Sequence, residues 1–117
     1  MQRLKRRQDF VAAAKAVSQG TPGFLLQVRN RDDASPARVG FTCSKKLGDA
    51  VTRNRIKRRL REAVRLVMTP VANPSFDYVL VGRPAAENLG FEKLQADLIS
   101  AVTRLNAKAM SQKVELK

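Results

Sequence analysis

Residues 53 to 65 decide what this chain can become. Seven of these thirteen are Arg or Lys and one is Glu. They lie mid-chain, and the apolar residues among them recur at helical spacing. On a wheel of about 100° per residue, Leu60, Ala63 and Val67 fall within about 40° of Ile56. Asn54, Arg58, Arg61 and Arg65 lie opposite. Arg53 and Lys57 take one shoulder, Arg55 and Arg59 the other. Such a helix must bury one stripe in a core and hold the rest out. A merely solvated helix would pair its arginines with acids three or four residues away, yet only Glu62 lies within the stretch. From Lys45 to Arg65, nine basic residues face two acidic ones. That excess points to a phosphate backbone as the partner of the exposed face. Arginine's planar fork grips two phosphate oxygens or stacks on a base, where lysine is a point charge.

The whole chain carries the same bias. Its 117 residues hold 23 Lys and Arg against 10 Asp and Glu, a net charge of +13. A charge this large repels itself in a compact state and calls for a polyanion. The length fits a single domain over residues 1–117, with a core at about 8–108, a flexible basic arm at 1–7 and a flexible tail at 109–117. No apolar run reaches the ~18 residues of a membrane span, and no apolar segment follows the basic start as in a signal peptide. One cysteine, Cys43, cannot form an intrachain disulfide, which suits a reducing cytoplasm. There is no histidine, the commonest general base and metal ligand. The acids show no metal-site spacing, and no phosphate loop or nucleophile elbow occurs. No catalytic residue and no metal ligand is therefore assigned to the protein itself.

Along the chain, Asp9 is the expected N-cap of a first helix running to about Val17 or Ser18, with Phe10, Val11, Ala13, Ala14 and Val17 as its apolar positions. Gly20, Pro22 and Gly23 break it. Residues 24–29 and 38–43 alternate as strands, each with one apolar and one mixed face. Asp49 is the expected cap of the basic helix, which runs to about Met68 before Pro70. The apolar run Tyr78-Val79-Leu80-Val81-Gly82 reads as a central buried strand. Gly90 opens a last helix whose stripe is Phe91, Leu94, Leu98, Val102 and Leu105. Three strands are legible, with helices over one face of the sheet and the other face partly open. Cys43 reads as a small buried apolar residue.

The string Ser44-Lys45-Lys46-Leu47-Gly48-Asp49-Ala50-Val51-Thr52-Arg53-Asn54-Arg55-Ile56-Lys57-Arg58-Arg59-Leu60-Arg61-Glu62 closely resembles the signature of the bacterial ribonuclease P protein family. Asp9-Phe10, Arg38-Val39-Gly40, Asp77-Tyr78 and Arg83-Pro84 resemble its flanking landmarks in the right order. The resemblance implies an α+β sandwich of three helices on a four-stranded mixed sheet. An unusual left-handed βαβ crossover would liken it to the second domain of a small-subunit ribosomal protein. It also implies a function: the protein subunit of a ribozyme that removes the 5′ leader of precursor tRNA. The RNA subunit would carry the active site and its Mg²⁺. The partners implied are ribonuclease P RNA and the precursor tRNA leader, with no membrane and no further protein required.

Residue roles follow from the same resemblance. Lys45, Lys46, Asn54, Arg55, Arg58 and Arg61 match positions facing the RNA subunit, and Arg65 extends that face. Phe10, Thr42, Arg53 and Lys57 match positions lining a cleft for the single-stranded leader; ordinary core packing is the other reading of Phe10. Ala14 stands where many relatives carry a second aromatic and Gln27 where some carry Tyr, so this cleft should stack bases less well. Asp49 replaces the family's Asn, an equivalent cap that adds a negative charge. Composition alone would also fit a ribosomal RNA-binding module; a protein-only nuclease is disfavoured by the scattered acids.

Overall fold

In the computed structural model, which describes residues 1–115, Phe76–Gly82 forms the middle strand of a five-stranded sheet. Every residue of it except Val81 is buried. In chain order the strands are β1 (Gln2–Arg3), β2 (Val17–Gly20), β3 (Phe24–Asn30), β4 (Arg38–Thr42) and β5 (Phe76–Gly82); the helices are α1 (Arg7–Ala14), α2 (Ala50–Ala63) and α3 (Phe91–Glu115). The sheet order is β1-β4-β5-β3-β2. β5 runs parallel to β4 and antiparallel to β3, so the sheet is mixed, and α2 makes the crossover between β4 and β5.

Alternation along the strands builds two unequal cores. Phe24, Leu26, Val28, Val39, Phe76, Tyr78 and Leu80 face α2 and α3 and pack with Ile56, Leu60, Leu94, Leu98 and Leu105. Each such side chain contributes about 1.5–3 kcal/mol when fully buried. Tyr78 keeps its hydroxyl satisfied inside this core: it donates to Asn106 Oδ1 (2.7 Å) and accepts from the Asn73 N–H (2.8 Å). The opposite face has a smaller cluster, in which Leu4 and Ala13 cover Val79 with half-buried Phe10 and Val81 beside them. Phe10 approaches so closely that a Cβ on Gly40 would lie 2.6 Å from its ring atoms, so this position of β4 tolerates only glycine without displacement.

Several expectations need correction. The sheet has five strands, where three were legible and four implied. Residues 1–7 are not a free arm: Gln2 and Arg3 pair in parallel with Arg38 and Val39, and Leu4 is buried. The first helix starts after Arg6 and ends at Ala14, and Asp9 lies in its first turn. Asp9 is drawn instead to the sheet, 3.5 Å from both Arg29 and Arg38. Val17 is buried in strand β2 rather than on a helix. Residues 109–115 of the expected tail are helical, since α3 continues to Glu115, and Ala109 belongs to the core; residues 116 and 117 lie outside the described residues.

The basic helix is capped as expected, with Asp49 Oδ1 accepting from the Thr52 N–H at 2.9 Å. Its last turn differs. Val64–Met68 form a π-helical turn. The wider turn shifts the phase of the stripe: Met68 is fully buried, while Val67 is only half-buried.

Candidate nucleic-acid interface

Two sets of residues were expected to contact RNA, and the fold places them around one helix. Asn54, Arg55, Arg58 and Arg61 are exposed along α2, and Arg65 is exposed on the π-helical turn that follows it. Lys45 and Lys46 are exposed on the 3₁₀ turn Lys45–Leu47 that leads into it. Ile56, Leu60 and Ala63 hold the opposite side in the core. Two acids reach this surface: Arg55 meets Glu87 at 2.7 Å, and Arg65 meets Glu62. The Arg65 guanidinium holds the Glu62 carboxyl below its ordinary range. Both are exposed pairs, weak and exchangeable for another anion.

The second set gathers near the end of β4. Gly40 and Thr42 share the sheet face on which Phe10 packs, and Thr42 is exposed. Arg53 and Lys57 are half-buried on α2. Burial pushes the Cys43 thiol up, against the pull of Lys57, the Gly82 backbone, Arg61 and Arg53. Lys57, Arg61 and Arg53 are thus all near enough to act on Cys43, the residue after Thr42. The Nε of Arg53 is buried with no hydrogen-bond partner among the described residues, a donor left unmatched inside the fold. Phe10 serves both readings: it packs on the smaller core yet remains half-exposed. Cys43 is half-buried rather than buried.

The sequence did not reveal two arginines held by aromatic rings. Arg59 lies 5.9 Å from the Phe91 ring centre and donates to the Leu89 carbonyl. Arg61 lies 5.8 Å from the Phe41 ring centre. Nor did it reveal a second arginine cluster around Asp77, the one buried charged residue among those described. Arg38 donates twice to its carboxylate at 2.8 Å, Arg31 donates to the same Oδ1, and Arg29 stands 3.7 Å away. Strand register brings these together, since Asp77 is opposite both Arg29 and Arg38. Three acids, Asp9, Asp33 and Asp77, answer these three arginines.

Among the described residues, no group of three or more Cys, Asp or Glu is placed to hold a metal ion, and no helix is long and apolar enough to cross a membrane.

The family model for ribonuclease P matches residues 1–106. The ribonuclease P protein component of Ruegeria pomeroyi is 50% identical over 107 residues, covering 89% of this chain and 86% of the relative. That of Caulobacter vibrioides is 46% identical, covering 91% of this chain and 72% of the relative. Among solved structures, the Thermotoga maritima RNase P protein matches with a TM-score of 0.73 at 26% identity, covering 89% of this chain and 97% of that one. The Staphylococcus aureus protein matches with a TM-score of 0.72 at 27% identity, covering 90% and 95%.

Proposed function

The chain belongs to the ribonuclease P protein family, and on that premise we propose that its basic helix serves two RNAs at once. The protein is the small subunit of the ribonucleoprotein endonuclease that processes tRNA 5′ ends, with ribonuclease P RNA as its partner. Lys45, Lys46, Asn54, Arg55, Arg58, Arg61 and Arg65 bind that RNA. Phe10, Thr42, Arg53 and Lys57 bind the 5′ leader of precursor tRNA. One observation carries the division: the basic helix and its π-helical turn expose Arg55, Arg58, Arg61 and Arg65 while Arg53 and Lys57 are half-buried.

Mg²⁺, held mainly by the RNA subunit, would supply the activated water. The protein's residues bind and orient. Arginines neutralise phosphates that would otherwise repel one another in the folded RNA, which lowers the Mg²⁺ needed for assembly. The leader lies in extended form between the half-exposed Phe10 ring and the Arg53–Lys57 shoulder, the arrangement of a stacking surface beside a positive groove. Such a complex works in the cytoplasm, on newly made transcripts.

Reconstitution tests this. The protein plus ribonuclease P RNA should cleave precursor tRNA at a low Mg²⁺ concentration where the RNA alone is slow, and should favour precursor over mature tRNA. No stimulation at any Mg²⁺ concentration would overturn the reading. Replacing Ala14 with Phe should tighten leader binding; unchanged discrimination between precursor and mature tRNA would remove Phe10 and its neighbours from the cleft.

A further inference from the structure

A groove of about 370 Å³ opens on the α2 side of the sheet, away from the Phe10 face. Val39, Phe41 and Val64 form its apolar floor, and Arg3, Arg61 and Arg65 stand around it. Strand β1 builds one wall, because its pairing with β4 places Arg3 beside Val39. That pairing stops at Val39, so Gly40–Thr42 have no strand partner on this edge among the described residues.

We propose that this groove takes one unstacked nucleotide of an RNA. The inference rests on the family reading and adds a site to it. A phosphate alone would not need an apolar floor, and an apolar ligand would not need three arginines; a nucleotide uses both. Arg61 already stands over Phe41, its guanidinium carbon 5.8 Å from the ring centre. A guanidinium held in this way offers its other face to a base, a common means of reading single-stranded RNA. The sugar-phosphate then meets Arg3 and Arg65. Arg65 is free to turn to it, since its pair with Glu62 is solvent-exposed on both sides. The unpaired edge of β4 offers backbone groups to the base's hydrogen-bonding edge.

The test uses the assembled holoenzyme with precursor tRNA bound. Photoreactive 4-thiouridine is placed in ribonuclease P RNA in one arm and in precursor tRNA in the other. After irradiation and digestion, the peptide from Val39 to Lys45 should carry a nucleotide adduct that fragmentation maps to Val39 or Phe41, not to Thr42 or Lys45, in one arm, which also names the source. No adduct on it in either arm overturns the proposal. Affinity gives a second readout. Phe41→Leu should weaken RNA binding roughly tenfold without changing its salt dependence, the mark of lost stacking. Should that variant fold poorly, the exposed Arg61→Lys decides: it keeps the charge and removes the plane, and should weaken binding with an unchanged salt slope. Wild-type affinity in Arg61→Lys overturns the stacking platform and leaves the family reading intact. A wild-type protein that fails to bind ribonuclease P RNA overturns both.

Discussion

Two arginine clusters occupy this molecule, and they are built on opposite rules. Around Asp77, three arginines meet three carboxylates and the charge closes inside the fold. Along α2 and its π-helical turn, the seven basic residues from Arg53 to Arg65 form ion pairs, among the described residues, with Glu62 and Glu87. The first cluster joins β3, β4 and β5 to the start of α1; the second leaves its charge for another molecule. Residue type does not separate them. What separates them is whether an acid shares the site.

The largest effect should come from breaking the closed cluster. Asp77→Ala leaves Arg31 and Arg38 without their buried partner and should cost about 3–5 kcal/mol in chemical denaturation. A variant as stable as wild type would mean that water, not Asp77, satisfies those guanidiniums. Next comes the open cluster. Arg58→Ala with Arg61→Ala should leave stability within about 0.5 kcal/mol, as surface changes do. In a salt titration of RNA binding the same pair should lower the log–log slope by about two. An unchanged slope would remove these residues from the RNA face.

A smaller effect concerns Asp49. The Thr52 N–H holds its carboxyl below the ordinary range. A lowered carboxylate stabilises the fold above its unfolded-state pKa and loses that contribution as pH falls through the folded value. Asp49→Asn should match wild type at pH 7, because both residues cap well, and should lose less melting temperature below about pH 4. Equal acid sensitivity in the two proteins would show that Asp49 does not act through its charge. The smallest effect sharpens the contrast from the other side. Glu62→Ala frees Arg65 and should tighten RNA binding by a few fold with no change in melting temperature; weaker binding would mean that Glu62 positions Arg65 rather than competing for it.

The open cluster was legible in the sequence because a helix writes its faces into local spacing. Ile56, Leu60 and Ala63 gave the buried stripe, and Asp49 gave the start. The closed cluster was not legible. Asp77 lies far in sequence from Arg29, Arg31 and Arg38; strand register sets Arg29 and Arg38 opposite it, and Arg31 follows just beyond the end of β3. Short elements were lost for a related reason. Four residues at β2 and two at β1 are too few to show alternation, so Val17 passed for the end of a helix. In α3 the stripe continues through Ala101 and Ala109, whose small side chains gave a weaker apolar signal than Leu94 or Leu98. The π-helical turn at Val64–Met68 escaped because a regular wheel keeps one phase. The groove over Phe41 depends on β1 and so was hidden with it.

Tyr78 makes the core readable by light. The chain has no tryptophan and this single tyrosine, so its ultraviolet emission comes from one buried ring and reports on neither RNA surface. Burial pushes its hydroxyl up to about 12, above the pull of its bonds to Asn73 and Asn106. In the unfolded chain the phenol ionises near its ordinary value of about 10. The stability linked to this proton is therefore complete below pH 10 or so and drains away as pH rises towards the folded value. Tyrosinate absorbance in that interval would mark the opening of the core itself, with no label added and no signal from bound RNA-facing residues to subtract.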